Sequence, residues 1–428
     1  MKKILSLVLA LVMLCSMVSI AAAEITTEPV TLRFSWWGGD ARHEATLKVI
    51  EQFEALYPNV TIEPEYGGSD GYHDKLATQL ASGTAADIFQ VDPETFPTYY
   101  ATNPDQFWDL KELGVDTSKF EAGYIGLSIN GCYDGKQMGL PTGIAGPAIL
   151  VNQEMAEKYN LNMVKEGMTW QDWLDWGKAV RAAGDEDVYL LCSNKEMLAI
   201  LVVMTYAKQL VGGTIFQDGK LMLTEEQLTK IYEYVKALYD EGVVAPASYS
   251  AAYVGDDIQS DPNWLAGKYV AAFAYISTVD VMVAGNPDAT YYAGSLPVEA
   301  GATEGGWASN TPQLLCIPKS SANPEVAAAF IDYFFNNPTA METLGAVRSV
   351  PPTAEHREIA TKTGALTAVV SDSSDKAMVV SGTPNDKIVS GAEGKQIFYD
   401  AVEMIAYGEM TPAEAAADSI ARLKELEQ

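Results

Sequence analysis

The chain has 428 residues with 48% hydrophobic content, enough for more than one packed core, and the usual domain size points to two or three domains. Its formal charge of −29 excludes non-specific attraction to nucleic acid or to anionic membrane, and mainly serves solubility. Four cysteines and three histidines form neither a disulfide framework nor a zinc pattern.

Taken in chain order, residues 1–23 read as a secretory signal. Lys2 and Lys3 precede an apolar run too short to span and anchor a bilayer, and Ala21-Ala22-Ala23 offers a cleavage site. Cleavage there leaves 405 residues carrying −31, since two lysines and no acids are lost. Cys15 raises the alternative of a lipoprotein, but Leu14 stands where a small residue should precede that cysteine. The expectation is therefore export to the periplasm or cell surface, with cleavage after Ala23.

Residues 30–36 alternate Val30, Leu32, Phe34 and Trp36 as a strand. Residues 41–57 carry Leu47, Ile50, Phe53 and Tyr57 at helical spacing, with Asp40 as the expected N-cap and Pro58 as the stop. A second strand begins at Val60, a helix covers 72–82, a strand covers 87–91, and a short helix lies near 94–101. This β-α-β-α-β-α order predicts a mainly parallel sheet covered by helices. The Gly- and Pro-rich stretch 139–152 reads as an extended crossing between two units. Helices are predicted over 169–182, with Thr169 as N-cap, and over 195–211, 224–241 and 324–336, with a last one from 411. Strands are predicted within 264–277 and over 314–319, and a second crossing over 290–297. The acidic run 371–375 reads as a solvated loop.

Enzyme signatures are scarce. There is no HExxH, no P-loop and no GxGxxG. No catalytic residue, metal ligand or cofactor is expected. A glycosidase carboxylate pair among 57 acids stays open, though nothing singles one out.

Aromatic and polar groups instead gather at strand ends, where open α/β sheets hold their ligands. The first strand ends in Trp36-Trp37-Gly38-Gly39-Asp40, the second leads into 65–72 (EYGGSDGY), and the third into Gln90-Val91-Asp92. Indole faces suit the C–H face of a sugar ring, and carboxylates and amides suit its hydroxyls.

The stretch running from "TLRFSWWGGDARHEATL" through "FEALYPNVTIE" to "SGTAADIFQVD" resembles family 1 of the extracellular solute-binding proteins of ABC transporters, the relatives of maltose-binding protein. Ala86 stands where the family pattern has proline. "GLPTGIAGPAILVN", "MTWQDWLDWGKAV", "LAGKYVAAFAY" and "NPEVAAAFIDYFFN" continue the resemblance in order along nearly the whole mature chain. It implies an α/β, two-lobe periplasmic-binding-protein-like fold of type II, with a ligand cleft between the lobes. The lobes would comprise 24–143 plus 295–330, and 144–294 plus 331–428. It also implies a non-enzymatic, monomeric receptor that delivers a carbohydrate to membrane permease subunits and binds no nucleic acid. The WWGGxxRHxxT form suggests oligosaccharides from plant polymers. A receptor for an anionic or polyamine solute and a secreted carbohydrate-active enzyme are the alternatives.

The candidate ligand-binding residues each carry a competing structural reading. Trp36 continues the inward alternation, so core competes with ligand contact; Trp37 points the other way, as a platform. Asp40 caps a helix or reaches a hydroxyl. Arg42 and His43 oppose the macrodipole, which suggests a use in holding a carboxylate or hydroxyl, with a solvated surface as the competing reading. Tyr66 and Asp70 lie in a Gly-rich loop that could be merely solvated. Gln90 and Asp92 end the third strand, with a turn before Pro93 as the competing reading for Asp92. Tyr275 and Ser277 follow a second-lobe strand, Tyr275 with core as its alternative. Trp307 is expected as a second stacking face, and Arg348 as a cleft residue or a helix-end ion pair. Trp170, Trp173 and Trp176 are expected in core.

Overall fold

The computed structural model describes residues 26, 28–185, 187–253 and 260–427. The expected signal segment and Cys15 lie outside them. Among the described residues no helix is long and apolar enough to cross a membrane. Two compact units form. Of the described residues, the first gathers those up to Val91 with Thr95–Thr117 and Leu315–Leu344, and the second gathers Asp92–Glu94 with those within 118–314 and 345–427.

In the first unit, strand β1 (Val30–Trp37) buries Leu32, Phe34 and Trp36 on one face, as the alternation requires. Helix α1 (Asp40–Leu56) covers that face with Val49, Ile50 and Phe53. Strand β2 (Val60–Gly67) runs parallel to β1, with Trp36 opposite Tyr66 and Trp37 opposite Gly67. Helix α2 (Tyr72–Ser82) stops at Gly83, whose left-handed φ of 69° lets its N–H reach the Gln79 and Leu80 carbonyls. Strand β3 (Ile88–Val91) lies on the other side of β1, also parallel, and Leu314–Cys316 follows it in the sheet order. Phe330 of the helix Pro324–Asn336 meets Phe34 and Phe53 edge-on, at 5.7 and 5.2 Å between centroids, and seals this core.

In the second unit, β4 (Pro147–Asn152), β5 (Tyr189–Cys192), β6 (Tyr269–Tyr275) and β7 (Tyr291–Ala293) form a sheet in the order β7-β4-β6-β5. Only β6 and β5 are parallel; β4 runs antiparallel to both its neighbours, so this sheet is mixed rather than mainly parallel. The helix Trp170–Ala182 starts in a reciprocal capping box between Thr169 and Asp172, as its sequence indicates. Trp170 and Trp173 are buried and Trp176 packs at the core margin. The predicted helix over 195–211 forms, but its middle, Leu198–Met204, is a π-helix.

Three expectations are corrected. The division of the chain differs: residues 118–143 and 295–314 pack in the second unit, and 331–344 in the first. Tyr124 donates to the Gly143 carbonyl at 2.7 Å, and Asn130 accepts from the Thr311 N–H at 2.8 Å, which ties the first two stretches together. Gln52 of α1 bonds Thr343 at 2.8 Å and anchors the third. The acidic run 371–375 is helical, inside Ala368–Val379. Ser373 and Ser374 are buried there because their hydroxyls donate to the carbonyls four residues earlier, at 2.7 and 2.9 Å. The N-cap of α1 is Gly39, with Asp40 as the first helical residue and exposed, so Asp40 holds no cap bond.

Cys132, Cys192 and Cys316 are free. Burial pushes the thiols of Cys192 and Cys316 well above the ordinary value, which leaves them as packing groups rather than nucleophiles.

Candidate functional site

The parallel pairing of β1 and β2 brings two aromatic residues side by side at the carboxyl ends of the strands. Trp36 is 0% exposed, whereas Tyr66 beside it is 48% exposed. Their rings stack with centroids 5.0 Å apart and planes 23° apart. His43, from the first turn of α1, completes a group of three. Its centroid lies 4.6 Å from Tyr66 and 6.2 Å from Trp36, so His43 and Trp36 sit side by side rather than on opposite faces of the phenol. The Trp36 indole N–H donates to His43 Nδ1 at 3.1 Å, which requires that nitrogen to be unprotonated. The phenol of Tyr66 is thus held from beneath while its outer surface stays open.

That surface borders an open hollow of about 540 Å³, within the usual range of small-molecule sites. Tyr66 and the loop Gly67–Gly71 form one side, with Asp70 among them, and Glu65, Tyr72 and Lys75 form another. Gly71 has φ of 67°, the left-handed conformation from which α2 departs. The Tyr72 hydroxyl donates to the carbonyls of Ser35 and Gln90, at 3.1 and 2.9 Å, and so pins α2 to the ends of β1 and β3. Burial pushes its phenol above the ordinary value.

The two glycines after Trp37 have different reasons. A Cβ on Gly38 would lie 2.5 Å from Arg42 Cδ, because the Arg42 side chain folds over Gly38 to donate from Nη1 to the Trp37 carbonyl at 3.1 Å. Gly39 meets nothing within 4 Å and serves as the N-cap. We expect Gly38→Ala to push Arg42 off that carbonyl and cost about 1–2 kcal/mol in urea unfolding. In an Arg42→Ala background the same change should cost almost nothing more, and additive costs would refute the contact.

Glu65 is the electrostatic centre of the hollow. Burial would raise its carboxyl, but Arg33, at 2.7 Å through Nε and 2.5 Å through Nη2, and Lys75 at 3.3 Å outweigh it and hold it below the ordinary carboxylate value. A depressed folded value means a stabilising contribution that is present above roughly pH 4.3, the unfolded value, and lost as pH falls through the folded one. Glu65→Gln should therefore lower the melting temperature modestly at pH 7, where the ion pair is intact, and flatten the acid limb of the profile below about pH 4. An unchanged acid limb would show that the pair carries no linkage.

The remaining candidates divide clearly. Gln90 is fully buried, and its amide donates to the Trp37 carbonyl at 3.2 Å, so it supports the strand end from behind instead of facing a ligand. Trp37 is almost buried, with Tyr72 and His73 against its ring at 4.8 and 5.0 Å, which corrects its expected role as the platform. Trp36 is the backing of the platform rather than its surface. Asp92 is half-buried in the short segment that belongs to the second unit. Tyr275 ends β6 half-buried, and Ser277 is exposed just beyond it. Arg348 is buried in the second unit. Trp307 is corrected outright. It is fully buried, stacks on Trp170 at 5.7 Å and 28°, and donates its indole N–H to the Pro297 carbonyl at 2.8 Å, so neither face is open.

Sequence reasoning passed over Glu65, Tyr72 and Lys75 as site residues, and gave His43 only the general use, shared with Arg42, of holding a carboxylate or hydroxyl. Glu65 and Lys75 carry no local signal, since their pairing depends on β2 and α2 meeting in space. Tyr72 had one, a helix-opening tyrosine beside a Gly-rich turn.

The family described as bacterial extracellular solute-binding protein matches residues 39–341. A binding protein of Brucella abortus is 24% identical over 215 residues, 50% of each chain, so this chain spans about half the length of the curated relatives it matches. An extracellular solute-binding protein family 1 structure from Alicyclobacillus acidocaldarius superposes with a TM-score of 0.80 at 25% identity, over 94% of this chain and 100% of that one. A periplasmic oligogalacturonide binding protein from Yersinia enterocolitica superposes with a TM-score of 0.72 at 24% identity, over 93% and 100%, a likeness of fold alone. This chain, with its two α/β units, therefore belongs to the bacterial extracellular solute-binding protein family.

Proposed function

We propose that this chain captures an oligosaccharide at the hollow beside Tyr66 and delivers it to the membrane permease of an ABC importer. The observation that carries the reading is the open phenol of Tyr66 laid on the fully buried indole of Trp36. A flat, rigid ring with one face already packed loses little freedom when a sugar ring covers the other. Asp40 and Asp70 are exposed close by in sequence to the strand ends and offer acceptors for hydroxyl donors. Arg42 orients the end of β1 through the Trp37 carbonyl. A fold neighbour that binds oligogalacturonide makes oligosaccharides the first class to test.

The test is isothermal titration of the mature protein with plant- and starch-derived oligosaccharides. Saturable heat with micromolar dissociation, about −8 kcal/mol, and no change in the saccharide on prolonged incubation supports a receptor. Cleaved products would make the chain an enzyme, and tight binding only of non-sugar solutes would refute the ligand class.

A further inference from the structure

We propose that the saccharide held at Tyr66 is uncharged, an inference that rests on the oligosaccharide reading above and narrows it. The charges around the hollow are already spent on one another. The Arg33 guanidinium holds Glu65 through two nitrogens, and Lys75 holds the other oxygen of the same carboxylate. Arg42 is half-buried across Gly38 with Nη1 on the Trp37 carbonyl, and burial lowers it from its ordinary value. Recognition of a uronate uses the planar fork of an arginine, and both forks near this hollow already have protein partners.

The acid that remains at the hollow is Asp70, exposed on the Gly67–Gly71 loop. A carboxylate accepts from sugar hydroxyls and repels a second carboxylate at the same distance. Glu65, Asp70 and the exposed Asp40 balance Arg33, Lys75 and Arg42 in formal charge, so this end of the sheet has no net attraction for either sign. Beyond it, the chain's charge of −29 opposes the approach of a polyanion. The neighbour from Yersinia binds oligogalacturonide, an acidic chain, so likeness of fold and charge at the site point to different ligands here.

Titration of the mature protein with uncharged tetrasaccharides of glucose, xylose, galactose and arabinose, and with tetragalacturonate and tetraglucosamine, tests this. The expected result is that an uncharged one binds, and that both charged ones bind at least roughly 100-fold more weakly. The dissociation constant of the uncharged ligand should change less than about twofold between low and high salt, where surface charge is screened. Tighter binding of tetragalacturonate or tetraglucosamine than of every uncharged saccharide overturns the inference and leaves the oligosaccharide reading standing. Binding of none of them removes that reading, and the inference with it.

Discussion

Tyr66→Ala should weaken binding of the captured saccharide by about 2 kcal/mol, roughly thirtyfold in dissociation constant. The ring is half exposed and rests on Trp36, so its loss removes a ligand surface and uncovers one face of a core indole. The second effect costs the unliganded protein about 0.5–1.5 kcal/mol, the worth of an aromatic pair. Two further variants separate these effects. Tyr66→Phe keeps the stack and should bind within about threefold of the parent, unless the hydroxyl itself is a contact. Tyr66→Leu keeps Trp36 covered but offers no flat face, so stability should recover while affinity does not. Parental affinity in Tyr66→Ala would place the ligand elsewhere and end the proposal for this hollow. Trp37→Ala, by contrast, should act through stability, because Tyr72 and His73 already occupy the indole.

Trp307→Ala should lower stability by about 3–5 kcal/mol, the usual cost of deleting a fully packed aromatic. For a unit of this size that is a fall of roughly 6–20 °C in melting temperature, read by calorimetry. The loss has three sources in the structure: the stack on Trp170, the contact with Phe273 at 6.5 Å between centroids, and the indole bond to Pro297. Trp307→Phe keeps most of the apolar volume and leaves the Pro297 carbonyl without its donor, so it should cost less than half as much. A ligand-stacking tryptophan would give the opposite pattern, with a small stability loss and a large affinity loss. That outcome would reverse the assignment of Trp307 to core.

These two residues show how far local pattern carries. Period-two alternation is a property of backbone pleat, so the inward course of Leu32, Phe34 and Trp36 and the opposite course of Trp37 were legible. The same holds for the helices, whose caps and stops are short-range chemistry, such as Thr169 with Asp172 and Gly83 after Ser82. Composition is a weaker guide. Five polar residues at 371–375 look like a loop, yet serine hydroxyls can bond their own helix, and the segment is helical with two serines buried. A Gly-Gly before Trp307 resembles the Gly-Gly after Trp37, but one tryptophan is core and the other is a strand end.

What the sequence alone determined was the family and the first unit's β-α-β order, because both are written in patterns a few residues to a few tens of residues long. It also directed the proposed site to the ends of β1 and β2, because ligands follow strand ends in such sheets. Only the tertiary structure decided which aromatic is exposed. Trp36 and Tyr66 become neighbours through the register of two strands separated by a helix, and the buried member of the pair is the one on β1, which has a strand on either side, while β2 is the edge of the sheet. The same is true of charge: Arg33 and Lys75 pair with Glu65 only after β1, β2 and α2 have packed, since Coulomb energy depends on distance in space and not along the chain.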